Sequence, residues 1–295
     1  MSAVLIDGKA VADEIKGELR SEIDKLKAKG ITPGLAAVLV GDNPASHLYV
    51  SMKEKACREL GIYSEKIIKP EDCPEIELLQ LIDSLNQRPD IHGILVQSPL
   101  PPHIDEGKTI LGVSPAKDVD GFHPINQGLM LAGKPCFLPA TPSGIVELLF
   151  RAGYKPSGKH VVIVGRGYLV GRPLAVLFAQ KSEKGNATVT VCHTGTPDIG
   201  AITRQADILI AAIGKAKFIT ADMVKPGAVV VDVGTNKIDD PSHPKGTRVV
   251  GDVDFENVKE LASAITPVPG GVGPMTIAML LTNTIKSAKK EYNYA

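Results

Sequence analysis

Apolar positions recur along this chain at two periods, and the period switches from segment to segment. Over 9–29, Val11, Ile15, Leu19, Ile23 and Leu26 fall at the spacing of one helix face. Short apolar runs then alternate with helical ones: a strand at 36–40, a helix at about 44–60, a strand at 63–68, a helix near 75–87 and a strand at 92–97. Parallel neighbours need a long crossover, usually a helix, so this rhythm predicts a parallel sheet covered by helices. The prolines at 135, 139 and 142 interrupt it and mark a domain boundary, where Ser143 is placed to cap the following helix. A second series follows, with strands at 161–164, 187–192, 208–213 and 229–233. Its spacing of about twenty residues suits a doubly wound sheet. A last helix at about 274–290, carrying Ile277, Leu280, Leu281 and Ile285, is expected to pack back on the first domain.

The expected fold class is therefore α/β: two α/β domains with parallel sheets and a ligand cleft between them. The first domain spans 1–140 and is joined by the C-terminal helix, 274–295. The second, 141–273, is a Rossmann-type dinucleotide-binding domain. Composition adds exclusions. Lys plus Arg and Asp plus Glu both number 33, for a net charge of zero, which argues against nucleic acid or a polybasic membrane contact. Cys57, Cys73, Cys136 and Cys192 form no C-x-x-C pair, so no metal site is expected and a reducing cytoplasm fits best. Asp7 and Lys9 come too early for a signal peptide's apolar core, and no apolar run approaches the roughly 20 residues of a membrane span.

Candidate chemistry begins at the second domain's first strand. It runs into Gly165-Arg166-Gly167-Tyr168-Leu169-Val170-Gly171-Arg172-Pro173 and then a helical run. Glycines let a backbone approach a pyrophosphate, and a helix N-terminus favours its charge. The spacing is G-x-G-x-x-x-G, so a plain glycine-tight turn is the rival reading. The next strand ends Cys192-His193-Thr194 without the acidic residue that meets a free ribose 2′-hydroxyl. Arg166 or a charged His193 would suit a 2′-phosphate, which favours NADP over NAD. Arg172 is the competing phosphate ligand. The string Thr266–Thr276 alternates proline and glycine before the last helix, with Pro274 suited to the first helical position. It reads as a rigid bent loop offering backbone donors to a ligand.

In the first domain, Asp42-Asn43-Pro44 opens a helix whose apolar stripe is expected to be Leu48, Met52, Ala56 and Leu60. Tyr49 and Lys53 lie one turn apart beside it. A lysine at such a border, partly desolvated, exchanges protons near neutrality; from spacing alone a plain surface Tyr–Lys pair is the preferred reading. Gln97 ends a strand, where parallel sheets bind ligands, or is a buried amide. Asp118 and Asp120 are two carboxylates in one turn, for chemistry or for turn capping.

Together, Tyr49-Val50-x-x-Lys53, Gly93-Ile-Leu-Val-Gln97, Lys117-Asp-Val-Asp120-Gly121, Thr141-Pro142 and Pro267-Val-Pro-Gly-Gly-Val-Gly-Pro-Met-Thr276 resemble the bifunctional methylenetetrahydrofolate dehydrogenase/methenyltetrahydrofolate cyclohydrolase family over essentially the whole chain. The resemblance implies oxidation of methylenetetrahydrofolate with NADP, then hydrolysis of the methenyl cation to formyltetrahydrofolate. It implies Lys53 as the key group of the hydrolytic step, tuned by Gln97. Tyr49 stacks on the aminobenzoyl ring, Asp120 anchors the pterin, and Pro99 and Gly273 belong to the folate site. Gly165, Arg166, Gly167, Gly171, Thr194, Thr235 and Thr276 belong to the cofactor site. It also implies a homodimer joined through an edge of the cofactor domain.

Two departures stand out. Gly167 replaces the family's usual serine, and Ser98 replaces the leucine that usually follows the glutamine. The segment 181–186 also looks long for the family. A dehydrogenase lacking the hydrolytic step is the alternative enzyme, and a nucleotide-sensing regulator the non-enzymatic one; the regulator finds no support in the neutral charge balance.

Overall fold

The computed structural model describes residues 2–242 and 246–292, and the chain forms two compact units. One comprises Glu14–Ala140 and the segment from Ile277 onward; the other comprises the segment up to Asp13 and Thr141–Thr276.

The first of these units is built on a three-stranded parallel sheet in the order Tyr63–Lys69, Gly34–Val40, Gly93–Val96. The middle strand is apolar throughout and wholly buried, as a parallel strand covered on both faces must be. Its Val38 and Val40 share a core cluster with Leu78, Ile82 and Leu85 of the Glu75–Gln87 helix and with Ile94. Each such side chain taken from water contributes roughly 1.5–3 kcal/mol.

The helix Pro44–Leu60 starts where its signals put it: the Asn43 side chain accepts from Ala45 and Ser46 N–H, and Pro44 follows. Its buried face is not the expected one. Leu48 and Met52 are exposed, and the inward residues are Ser46, Val50, Lys53, Ala56, Cys57 and Leu60. Counting apolar residues misplaces the face because two polar residues, Ser46 and Lys53, are buried on it.

The terminal helix spans Val272–Ala288, so it begins two residues before Pro274, which lies inside its first turn. Beyond Ile277 it belongs to this unit. Asn283 Nδ2 donates to Val119 O (2.8 Å) and Leu138 O (3.0 Å), and Ser287 Oγ to Ala116 O (2.8 Å). The helix Ala140–Arg151 likewise starts before Ser143, which is a first-turn residue and not its cap.

The other unit holds a six-stranded parallel sheet ordered Val4–Leu5, Ala264–Ile265, Val229–Asp232, Ile208–Ala211, His160–Val164, Thr188–Cys192. The chain passes from His160–Val164 to the Thr188–Cys192 edge, then crosses back to Ile208–Ala211 on the other side. That reversal creates a switch point at which doubly wound sheets bind ligands. The N-terminal strand closes the far edge by pairing with Ala264–Ile265; two residues are too few to show a period in the sequence. An antiparallel pair, Asn236–Asp239 with Thr247–Val250, stands beside the sheet. Among the described residues, no helix is long and apolar enough to cross a membrane.

Candidate active site

In the unit carrying Lys53, the helix Pro44–Leu60 buries that lysine to 8% exposure. Its Nζ donates to Gln97 Oε1 at 3.1 Å, across 44 residues of sequence. The glutamine is held in turn: its Nε2 donates to Ser98 O at 2.7 Å, which leaves the oxygen end of the amide for the lysine. Gln97 N donates to Val38 O (2.9 Å), so the residue sits just past the carboxyl end of its strand. The Ser98 hydroxyl contacts Glu106 Oε1. Pro99 follows through a cis peptide bond and is exposed. Tyr49, one turn before Lys53, opens to solvent.

The two carboxylates of the 118–121 turn have different jobs. Asp118 is buried and fully engaged: it accepts from Gly121 N (3.1 Å), Phe122 N (3.1 Å), His123 N (2.8 Å) and Asn126 Nδ2 (2.8 Å). This is turn capping. Asp120 differs: its backbone O accepts from Ala140 N (3.2 Å), while its carboxylate makes no hydrogen bond among the described residues. The turn is also tied to the sheet by a bridge between Asp118 and Ile94, and to the last helix by Asn283 on Val119 O. The backbone is thereby fixed on all sides of one available acid.

Electrostatics links Asp120 to Lys53. Burial holds the Lys53 ammonium below the ordinary lysine range, and the Asp120 carboxylate pulls the other way. Desolvation pushes the Asp120 carboxyl up to about 6, with Lys53 lowering it and Asp118 raising it further. The pair thus comprises an amine made easier to deprotonate and an acid titrating closer to neutrality than usual.

In the other unit, the strand His160–Val164 leads into the turn 165–170 and the helix Gly171–Ala179. Gly165 has φ +124°, and a Cβ there would lie 2.0 Å from Ala212 O. A Cβ at Gly171 would lie 2.1 Å from Gly165 O. The turn is drawn tightly onto the sheet, as a pyrophosphate cradle at a helix N-terminus must be. At Gly167 a Cβ would meet nothing within 4 Å, so this glycine is not demanded by packing.

The competing phosphate ligands separate. Arg172 Nε donates to Arg166 O at 3.1 Å, which commits that side chain to the turn. Arg166 is exposed and its guanidinium has no hydrogen-bond partner among the described residues. His193 Nδ1 accepts from Gly195 N (3.0 Å). Thr194 is exposed beyond the edge strand, which meets the turn through Gly165 N donating to Cys192 O (2.8 Å).

A cleft of about 430 Å³ opens at the carboxyl ends of these strands, lined by Gly167, Val170, Gly214, Gly234, Thr235 and Asn236 among others. Gly273 and Thr276 are not part of this lining. Thr276 Oγ1 is 2.9 Å from Thr141 Oγ1, and Gly273 lies in the first turn of the terminal helix with open space around it. The cradle, the exposed arginine and the cleft at the switch point fit a 2′-phosphorylated dinucleotide. Two carboxylates escaped the sequence reading: Asp232 and Asp252 are buried, and Asp252 is part of the cleft lining. The available signal was an acid ending the apolar strand Val229–Asp232. All four cysteines are buried and unpaired, and no metal-binding cluster occurs among the described residues.

The chain matches two family models, the tetrahydrofolate dehydrogenase/cyclohydrolase catalytic domain over residues 6–120 and its NAD(P)-binding domain over residues 139–292. It is 56% identical to the bifunctional protein FolD of Prosthecochloris aestuarii over 98% of this chain and 99% of that protein. It is 59% identical to the bifunctional protein FolD of Dehalococcoides mccartyi, covering 98% of each. Among solved structures, the FolD methylenetetrahydrofolate dehydrogenase/cyclohydrolase of Campylobacter jejuni superposes with a TM-score of 0.92 at 49% identity, covering 99% of this chain and 100% of that one. The Trypanosoma brucei enzyme, solved with NADP cofactor and an inhibitor, gives a TM-score of 0.93 at 40% identity, covering 99% of each chain.

Proposed function

The chain belongs to the tetrahydrofolate dehydrogenase/cyclohydrolase family, and from that membership and the geometry above we propose how it oxidises 5,10-methylenetetrahydrofolate with NADP and hydrolyses the product to 10-formyltetrahydrofolate. The observation that carries the reading is a buried lysine on the oxygen of Gln97, electrostatically coupled to Asp120. NADP, when bound, accepts the hydride that leaves the methylene carbon. The glycine turn and the Gly171–Ala179 helix N-terminus would hold its pyrophosphate, and the exposed Arg166 would meet the 2′-phosphate.

Hydride loss makes a methenyl cation. An ammonium beside that carbon would oppose its formation, since like charges at short range repel. Burial lowers the Lys53 pKa, which favours the neutral amine and so reduces this conflict. The amine then accepts a proton as water adds to the cation. The adduct opens at its bond to N5 as its hydroxyl becomes the carbonyl, the hydroxyl proton passing to N5, and the one-carbon unit stays on N10 as a formyl group. Gln97 orients the amine throughout, Tyr49 offers a ring face to the aminobenzoyl group, and Asp120 accepts from the pterin. Pro99 and Gly273 border the folate, and Thr194, Thr235 and Thr276 the cofactor. A dehydrogenase without the hydrolytic step would leave the Lys53–Gln97 contact unused. The family resemblance supports a homodimer, and four unpaired cysteines support a cytoplasmic setting.

The direct test is to incubate the protein with methylenetetrahydrofolate and NADP. Reduced cofactor and 10-formyltetrahydrofolate should both accumulate; absence of either removes the corresponding activity. A pH dependence follows from Asp120. Its acid titrates at about 6 in the free protein, and the pterin's N–H donors prefer the carboxylate. The kcat/KM for folate should therefore rise with pH through about 6, and Asp120→Asn should abolish that step. A rise that persists in Asp120→Asn would assign it to another group.

A further inference from the structure

The lining of the cofactor cleft includes a carboxylate that neither the turn nor the proton chemistry uses. Asp252 is fully buried, yet it accepts three hydrogen bonds: from Ile213 N (2.6 Å) and Gly214 N (2.8 Å) at Oδ2, and from Asn236 Nδ2 (2.8 Å) at Oδ1. The first two donors follow the strand Ile208–Ala211, one of the two strands at the switch point. The third follows the strand Val229–Asp232, next in the sheet. Asp232 backs this arrangement by accepting from Asp252 N (2.8 Å), Val253 N (2.9 Å) and Gly234 N (2.9 Å).

The consequence concerns Asn236. A side-chain amide has a donor end and an acceptor end, and an isolated one turns either way. A carboxylate that already accepts two backbone N–H groups can receive only the donor end. Asn236 Nδ2 is therefore pinned on Asp252, and its Oδ1 has no protein donor among the described residues. No side-chain oxygen or nitrogen among those residues is both buried and without a partner, so this oxygen is open to solvent. Asn236 lines the cleft on the side away from the Thr188–Cys192 edge, which in a doubly wound sheet receives the adenosine half. The nicotinamide half belongs over the strands on Asn236's side.

We propose that Asn236, its amide fixed by buried Asp252, positions the nicotinamide ring by accepting a hydrogen bond from the ring's carboxamide N–H. The inference rests on the cofactor reading above and adds a specificity residue to it. Asn236 is a cofactor contact; Asp252 is a positioning residue.

The test uses calorimetric dissociation constants, without folate, for NADP and for the analogue whose nicotinamide carboxamide is replaced by acetyl (3-acetylpyridine adenine dinucleotide phosphate), which lacks the N–H donor. The wild type should prefer NADP by about tenfold, the range for one hydrogen bond to a shielded site. Asn236→Ala should bring the two constants within about threefold, chiefly by weakening NADP. Retained analogue binding shows the cleft intact. Asp252→Asn frees the Asn236 amide to turn its NH2 outward, and should erase the preference in the same way. Equal weakening of both ligands in Asn236→Ala, or an unchanged preference in either variant, overturns the proposal. So does a wild type that binds both equally; a wild type that binds neither would instead overturn the cofactor assignment itself.

Discussion

Lys53→Met should lower cyclohydrolase turnover by at least about a hundredfold, the lower end of what a positioned acid–base group contributes. The variant removes the amine that hydrogen-bonds to Gln97 Oε1 at 3.1 Å and leaves an apolar chain of similar length on the buried face of its helix. The fold should therefore survive, because a buried polar amine is exchanged for a side chain that favours burial. NADP affinity should be unchanged, since the turn and cleft proposed for the cofactor belong to the other compact unit. Lys53→Arg should fail to rescue hydrolysis, because a guanidinium stays protonated and cannot take up a proton.

The same reasoning fixes the pH sign for the wild type. Burial lowers the Lys53 pKa, so the active neutral amine grows as pH rises, and hydrolysis should increase on the alkaline side until that titration is complete. Steady-state hydrolysis of methenyltetrahydrofolate, followed across pH in wild type and both variants, checks all three points. A Lys53→Met enzyme that keeps more than about a tenth of wild-type turnover would remove Lys53 from the proton step.

Much of this architecture could be read before any coordinates, and what was missed has physical causes. Long elements with clear periods and caps were legible: Pro44–Leu60 and Glu75–Gln87 fall where sequence signals place them. The two-residue strand Val4–Leu5 was not, because it is recruited by its partner Ala264–Ile265 and has no period of its own. The buried face of Pro44–Leu60 was misjudged for an instructive reason. Leu48 and Met52 look like core, but Lys53 and Ser46 occupy the inward positions, and apolar counting fails where function buries polar groups.

The roles within Lys117-Asp118-Val119-Asp120 also needed three dimensions. Both acids suit a turn, and only the four donors converging on Asp118 show that Asp120 is the one left available. Asn283 Nδ2 on Val119 O and Asn236 Nδ2 on Asp252 Oδ1 are contacts between separate segments. In sequence each appears as one polar residue in or beside an apolar run, which signals burial without naming a partner.

Gly165→Ala should weaken NADP binding by about a hundredfold or more and remove dehydrogenase activity with it, while hydrolysis of methenyltetrahydrofolate continues. The added methyl would sit 2.0 Å from Ala212 O, a backbone atom that cannot swing aside, at a φ of +124° that L side chains rarely adopt. Backbone strain of this kind costs ~1–3 kcal/mol, and overpacking against an unyielding neighbour adds ~1–3 kcal/mol. The turn can relieve both only by lifting away from the sheet, which moves its N–H groups off the pyrophosphate; a hundredfold loss needs about 2.7 kcal/mol.

Gly167→Ser supplies the contrast within the same turn. A Cβ there meets nothing within 4 Å, and the hydroxyl adds a hydrogen-bond donor to the turn. That variant should bind NADP as tightly as wild type or up to about tenfold tighter, the range of one added hydrogen bond. Titration of NADP into the three proteins decides between two accounts of the turn. If glycine is needed for close approach at 165 and merely present at 167, the two substitutions move affinity in opposite directions. Near-wild-type binding by Gly165→Ala would mean that the turn is not the phosphate cradle, whatever its resemblance to one.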